Sequence, residues 1–270
     1  MPSFAALQDY SGARCRREKV TRTAIVAAMP GELKPLVRGW RHQKRKGVHL
    51  WRWSFDGGEW VAACAGVGQN AAAARALKEI EREGPVAQVL SVGWAGALKH
   101  SCKPGEAYRV RGVVDLPTNT RLATAPFDSA RIQSGGPAAD IWLATATKVV
   151  TQPEKQNIAI GYYADLVDME AIALARLAKA RGVAFHCIKG VSDGVDDILP
   201  DFNPFLAADG HFKRAKFILF ALFHPGYWQA LKQMGENSKQ AAQHIAVLVL
   251  DLLDPEGKTR KTNGYPNVSG

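Results

Sequence analysis

The sequence predicts one α/β domain of three layers, a central mixed and twisted sheet covered by helices on both faces. Three observations predict it. Short apolar runs rich in β-branched residues alternate with alanine- and leucine-rich stretches from residue 23 to residue 254, and this alternation calls for a sheet covered on both sides. The chain has 270 residues, 47% of them hydrophobic, which is enough to bury a large core. No internal repeat or linker-like composition interrupts it, so a single domain at 23–254 is expected between a basic arm at 1–22 and a polar tail at 255–270.

The first strand is expected at 23–28, where TAIVAA runs into Met29-Pro30-Gly31. Proline and glycine end the strand and open a helix at Glu32. That places a carboxylate at the carboxyl end of the first strand, the side on which open α/β sheets bind ligands, although the helix dipole alone also favours an acid there. Residues 49–65 read as two antiparallel strands joined at Asp56-Gly57-Gly58, because Asp-Gly suits a tight hairpin turn. Gly66 and Gly68 follow, ahead of an alanine-rich helix at 71–83. A GxG pair lacks the third glycine and later acid of a dinucleotide site, but it lets backbone approach a ligand or a packed helix.

A strand at 86–92 leads into Gly93-Trp94-Ala95-Gly96. Small residues around a tryptophan suggest either backbone N–H groups open to a ligand with the indole as a wall, or a tight core turn. A turn at 103–106 and a strand at 107–114 come next, and then 115–140, a stretch with little period that reads as a long loop. Sheet character resumes at 141–150, and a short helix is expected at 152–163.

Residues 161–197 organise the rest. An apolar run ends at Asp168 and Glu170, a helix closes at Arg181-Gly182, and an apolar strand at 183–191 ends in Ser192-Asp193. A βαβ crossover with neighbouring parallel strands is expected, bringing carboxylates from both strand ends into one crevice. Carboxylates in apolar surroundings are costly unless paired, hydrogen-bonded or used. Asp168 and Glu170 can accept hydrogen bonds from a sugar diol, and Asp193 can hold or pass a proton; each can also simply cap the next helix. Beyond a loop at 198–209, apolar helices are expected at 212–223 and 227–253. They offer more apolar surface than one sheet readily covers, so at least a homodimer is expected, with a buried core helix as the alternative.

The formal charge of +10 comes from dispersed basic residues, apart from patches at 14–22 and 38–46. With no regular interleaving of aromatic and basic residues, nucleic acid is set aside as a partner, and an anionic substrate or solubility explains the surplus. Cys15, Cys64, Cys102 and Cys187 form no CxxC pair, and no secretory apolar region opens the chain. These features argue against structural zinc and an oxidising compartment, leaving a cytoplasmic protein as the expectation. The longest greasy segment, 217–223, is far short of a bilayer span, so no stable membrane insertion is expected.

Five segments, AAMPGELKPL at 27–36, AGVGQNAAAA at 65–74, VLSVGWAGAL at 89–98, LVDMEAIALA at 166–175 and KGVSD at 189–193, carry a resemblance. The chain resembles the nucleoside phosphorylase and nucleosidase superfamily, most closely the hydrolytic branch around methylthioadenosine/adenosylhomocysteine nucleosidase. The stretch 147–171 and the Leu199-Pro200 loop are also similar to hopanoid-associated nucleosidase-like members, expected to act on an adenine-bearing, sugar-linked lipid precursor. The resemblance implies cleavage of the N-glycosidic bond of a purine nucleoside, with adenine the expected base. It makes Glu32 the group that deprotonates the attacking water and Asp193 the donor of a proton to N7 of the departing purine, supported by Ser192. Glu170 would bind the ribose hydroxyls, with Met169 beneath the sugar. Asp168 stands where many relatives have glutamate, and Gly68, Trp94, Ala95 and Gly96 complete the expected substrate contacts.

No metal or organic cofactor is required for this chemistry, and inorganic phosphate enters as a co-substrate only in a phosphorylase. Two departures bear on that choice. Trp94 stands where relatives keep a serine at the nucleophile, and Ser91 where hexameric phosphorylases have a phosphate-binding arginine, a planar partner that serine does not replace. Water is therefore expected as the nucleophile. A phosphorylase that recruits Lys189, Arg121 or a neighbouring subunit's residue is the alternative, and a non-catalytic nucleoside or lipid-nucleoside binder is a third reading.

Overall fold

The first strand, β1 (Thr21–Ala27), is buried from Thr23 onward and pairs in parallel with β4 (Gly58–Cys64) on one side and β5 (Gln88–Ala97) on the other. The structure is a computed structural model that describes residues 21–64, 66, 70–126, 141–207 and 213–254. Gly68, Cys15, the polar tail and all but the last two residues of the basic arm lie outside the described residues. The expected hairpin is present: β3 (Val48–Phe55) and β4 pair antiparallel across Asp56-Gly57, and Gly57 adopts a φ of 80° that glycine tolerates at no steric cost.

Beyond β3 lies an edge strand that the sequence reading took for a basic patch, β2 (Arg41–Arg45). Its RHQKR has no apolar alternation, so period alone cannot reveal it, and charged side chains are what an exposed sheet edge uses to discourage pairing with another chain.

The other side of β5 closes into a ring. β5 runs parallel to β10 (Ala184–Asp193), which pairs antiparallel with β6 (Ala107–Asp115). β6 pairs in parallel with β8 (Ile141–Thr145), β8 with β9 (Leu166–Asp168), and β9 returns antiparallel to Gly96 and Ala97 of β5. A short β7 (Arg121–Ala123) pairs with β6 inside the stretch read as a loop.

The ring corrects the expected crossover. β9 and β10 are not parallel neighbours; β5 lies between them, parallel to β10 and antiparallel to β9. The physical reason is that β5 does not stop at Val92 but continues through Gly93 and Gly96, whose missing side chains let a strand bend and be approached closely. Its end thus takes the place that a parallel partner would have filled, and the two carboxylate-bearing strand ends meet across Gly96.

Helices cover both faces, as expected. On one face α2 (Asn70–Glu81) and α4 (Ala171–Arg181) pack through Ala76, Leu77, Ile80, Ile172 and Leu174. On the other, the one-turn α1 (Pro30–Leu33) and the long C-terminal α6 (Trp228–Leu253) pack through Leu33, Ile245, Leu248 and Val249. Gly190 lets α6 approach, since a Cβ there would stand 2.8 Å from that of Ala241. α3 (Gln152–Tyr162) closes the end of the ring, packing Ile158 and Tyr162 near Val114 and Ala144. The apolar face of α6 is thus consumed by the sheet, and exposed apolar surface is left on α5 (Arg214–Leu222). Cys64, Cys102 and Cys187 are buried free thiols.

Candidate active site

Glu32 is delivered by the Pro-Gly break after β1. Its Oε2 accepts the Met29 N–H at 2.7 Å and its Oε1 the Trp94 N–H at 2.9 Å. The side chain is buried, and burial pushes its pKa up against the opposing pull of those amides and the charge on Lys189. The Trp94 N–H is therefore not open to a ligand; it holds the carboxylate. Gly93, at φ 146°, makes this possible, because a Cβ there would lie 2.7 Å from Glu32 Oε1. The Trp94 ring lies over Gly31, and its indole N–H donates to the Ser238 carbonyl of α6 at 2.9 Å. The tryptophan is accordingly a fixed wall.

Asp193 ends β10 just after a shift of register between Val191 and Asp193. Its Oδ1 accepts the Ser192 hydroxyl at 2.6 Å, and that hydroxyl also lies 3.3 Å from the Ala95 carbonyl. A Cβ on Gly96 would stand 3.0 Å from Asp193 Oδ2, so glycine leaves space directly before the carboxylate. The second oxygen faces a residue that the sequence reading missed: Lys155 Nζ lies 2.6 Å from Asp193 Oδ2 and also donates to the Gly194 carbonyl. Lys155 is nearly wholly buried. It follows the Thr151–Glu154 capping box that starts α3, a signal that fixes where the helix begins but not what its next residue meets. Asn237 of α6, also missed, donates to the Ser192 carbonyl at 3.4 Å.

Asp168 is fully engaged within the fold. Oδ1 accepts the Thr145 hydroxyl at 2.8 Å, and Oδ2 accepts the Ala171 N–H at 3.0 Å and lies 2.8 Å from Lys189 Nζ. Burial works against the charge on Lys189, but Asp168, with Cys187 and Glu170, holds its pKa above the ordinary lysine value. Glu170 is half-buried at the start of α4, where the Met169 N–H approaches its Oε2 at 3.3 Å.

Glu32, Trp94, Ala95, Gly96, Asp168, Met169, Glu170, Ser192, Asp193 and Lys155 all line one cavity of about 1430 Å³. It exceeds the roughly 300–1,000 Å³ usual for a small-molecule site. Its apolar end is built by Leu199, Phe202, Leu206, Phe217, Leu231 and Met234, and Lys148, Thr151, Gln152 and Gln243 add polar side chains to the same lining. Exposed Lys34, Arg38 and Lys239 stand on its rim. Ser91, Lys189 and Arg121 are not among its lining residues. Arg121 donates to the Tyr162 carbonyl at 2.6 Å and lies over the Trp142 ring. Among the described residues, no group of three histidine, cysteine or acidic side chains could hold a metal ion.

A ring-closed mixed sheet with these acids in one cavity defines the class: the chain belongs to the phosphorylase superfamily, whose family model matches residues 22–140 and 142–217. Among solved structures, the chain is similar to the 5′-methylthioadenosine/S-adenosylhomocysteine nucleosidase of Helicobacter pylori, at 14% identity and a TM-score of 0.64 over 87% of this chain and 99% of that one. The futalosine hydrolase of the same organism matches at 14% identity and a TM-score of 0.64, over 87% and 98% of the two chains. The Colwellia psychrerythraea 5′-methylthioadenosine/S-adenosylhomocysteine nucleosidase, in complex with adenine, matches at 20% identity and a TM-score of 0.61, over 88% and 96%. At these identities the likeness is one of fold. No curated protein matches the chain.

Proposed function

We propose that the protein is a hydrolase that cleaves the N-glycosidic bond of a purine nucleoside, with adenine as the released base. The observation that carries this reading is the cavity in which a buried carboxylate held by two amides, Glu32, shares one lining with Glu170 and the Ser192-Asp193 pair. As the bond from the sugar's anomeric carbon to N9 breaks, its electron pair passes to the purine, which is a poor leaving group until protonated. Asp193, once it has taken up a proton from solvent, gives that proton to N7, its carboxyl oriented by Ser192. Lys155 then steadies the carboxylate that remains, through a charge-assisted hydrogen bond. The sugar turns oxocarbenium-like, and Glu170 accepts from its hydroxyls over Met169. Water adds to the anomeric carbon and loses its proton to Glu32, whose raised pKa suits a base. Asp168 acts one step removed, by anchoring the start of α4 and neutralising Lys189.

The same geometry favours water over phosphate. Of the cations a phosphorylase would recruit, Lys189 is ion-paired with Asp168 and Arg121 is committed to Tyr162 and Trp142. The rim cations Lys34 and Arg38 support the second reading, a phosphorylase. Purified protein is expected to release adenine from methylthioadenosine in phosphate-free buffer; strict dependence on added phosphate, with sugar 1-phosphate as product, overturns hydrolysis. Absence of turnover under both conditions, in folded protein that binds nucleoside, would leave the non-catalytic reading.

The apolar end of the cavity supports a nucleoside with an apolar or thioether-like 5′ substituent. No described helix is long and apolar enough to cross a membrane. A cytoplasmic homodimer or larger assembly is the proposed state, checked by light scattering across micromolar concentrations.

A further inference from the structure

Five large apolar side chains stand in water together on α5 and the turn after it: Ile218, Leu219, Leu222, Phe223 and Trp228 are 54% to 75% exposed. The opposite face of α5 is used. Phe217 packs on Phe202 and Phe205 with ring centroids 5.4 Å apart, and Phe220 on Phe205 at 5.2 Å. Phe217 and Phe202 also line the apolar end of the cavity. Large apolar side chains on opposite faces of a helix belong in a protein core or in lipid, and here one of those faces has no protein over it among the described residues.

The surrounding charge selects the occupant. From Gly210 to Gly235 the sequence contains Lys213, Arg214, Lys216 and Lys232 and no aspartate or glutamate. The side chains of Lys213, Lys216 and Lys232 are exposed. Two-fold pairing of this face with a second copy would set Lys213 and Lys216 against themselves, since the acid just beyond the stretch, Glu236, lies 4.0 Å from Lys232 on α6. An anionic bilayer answers both features: acyl chains and headgroups take the apolar side chains, phosphates take the lysines, and Trp228 with the half-buried Tyr227 has the amphipathic character that suits the interface. No described helix can span the bilayer, so the contact lies on its surface.

We infer that the exposed face of α5, with Trp228, docks the protein peripherally on an anionic lipid bilayer, setting the apolar end of the cavity next to the membrane. The inference is independent of the reaction, since it is read from binding alone. The full chain should float with mixed phosphatidylcholine/phosphatidylglycerol vesicles at low salt, bind pure phosphatidylcholine much less, and be released as salt rises. A Leu222→Glu/Phe223→Glu double variant should lower vesicle partitioning on the order of 10- to 100-fold. Its circular dichroism and its turnover of a water-soluble nucleoside should be unchanged; Lys216→Glu, a milder change, should weaken binding and its salt dependence together. Failure of the wild-type chain to float overturns the inference, as does flotation that neither variant weakens. A solution mass that falls when Leu222 and Phe223 are replaced also overturns it, because the face would then join copies of the chain.

Discussion

Replacing Gly93 by alanine tests whether the Glu32 carboxylate must lie where it does. Gly93 sits at φ 146°, with its Cβ position 2.7 Å from Glu32 Oε1 and 3.1 Å from Cδ. A side chain in that region of backbone space costs about 1–3 kcal/mol. The carboxylate must also retreat, weakening the 2.9 Å bond from the Trp94 N–H; a hydrogen bond to a charged group contributes about 1.5–3 kcal/mol. The two together amount to about 2.5–6 kcal/mol, which a domain in the middle of the ordinary stability range, about 5–15 kcal/mol, can lose and still fold. Displacing a reacting group by about 1 Å lowers turnover on the order of 10²-fold. Urea unfolding and adenine release should therefore both suffer in Gly93→Ala. Gly182→Ala is the control, since Gly182 has φ 64° and nothing within 4 Å of its Cβ position: it should lose about 1–2 kcal/mol of stability and no turnover. Wild-type turnover in folded Gly93→Ala would refute the placement of Glu32 as the base.

Three further outcomes are expected. Asp193→Asn should fold and lose about 10²–10⁴ in rate, while Lys155→Met should lower kcat about 10- to 100-fold with little change in KM; unchanged kcat for either removes that residue from the reaction. Because the pKa of Glu32 is raised in the fold, its contribution to stability is present below the usual glutamate range and is lost as pH rises through the raised value. The urea midpoint of wild type should thus fall relative to inactive Glu32→Gln as pH rises above the usual glutamate range, and a rise instead would contradict the burial effect. Compared by kcat/KM across methylthioadenosine, adenosine, inosine and adenosine monophosphate, the apolar 5′ substituent should be preferred by about 1–3 kcal/mol. Preference for the monophosphate would instead assign Lys34 and Arg38 to a 5′ anion.

What the sequence made legible was local. The Pro-Gly break before Glu32, the Asp-Gly hairpin, the glycine stop of α4 at Gly182 and the alternation that demands a covered sheet are each written within a few residues. The ring is not, because the pairing of β5 with β9 depends on where a strand continues through two glycines, and three residues of β9 carry no period of their own. The same limit hid β2, whose residues are all polar or charged. Lys155 was illegible for another reason: a lysine after a helix cap reads as solvent-facing, and only the closure of the ring brings α3 against the end of β10. Asp168, which lines the cavity as its position suggested, also has three partners within the fold that its place in the sequence did not disclose.

β5 belongs at once to the open sheet and to the closed ring, with β10 along one edge and, on the other, β1 beside its first half and β9 beside Gly96 and Ala97. Its amides from Ser91 to Ala97, apart from that of Trp94, which the Glu32 carboxylate holds, can exchange with deuterium only when strands part, so they should be among the slowest in the molecule. Trp94, which holds Glu32, and Gly96, which faces Asp193, sit in that segment. The apolar end of the cavity rests instead on α5 and a small group of phenylalanines. The groups proposed to do the chemistry are thereby mounted on the segment expected to move last.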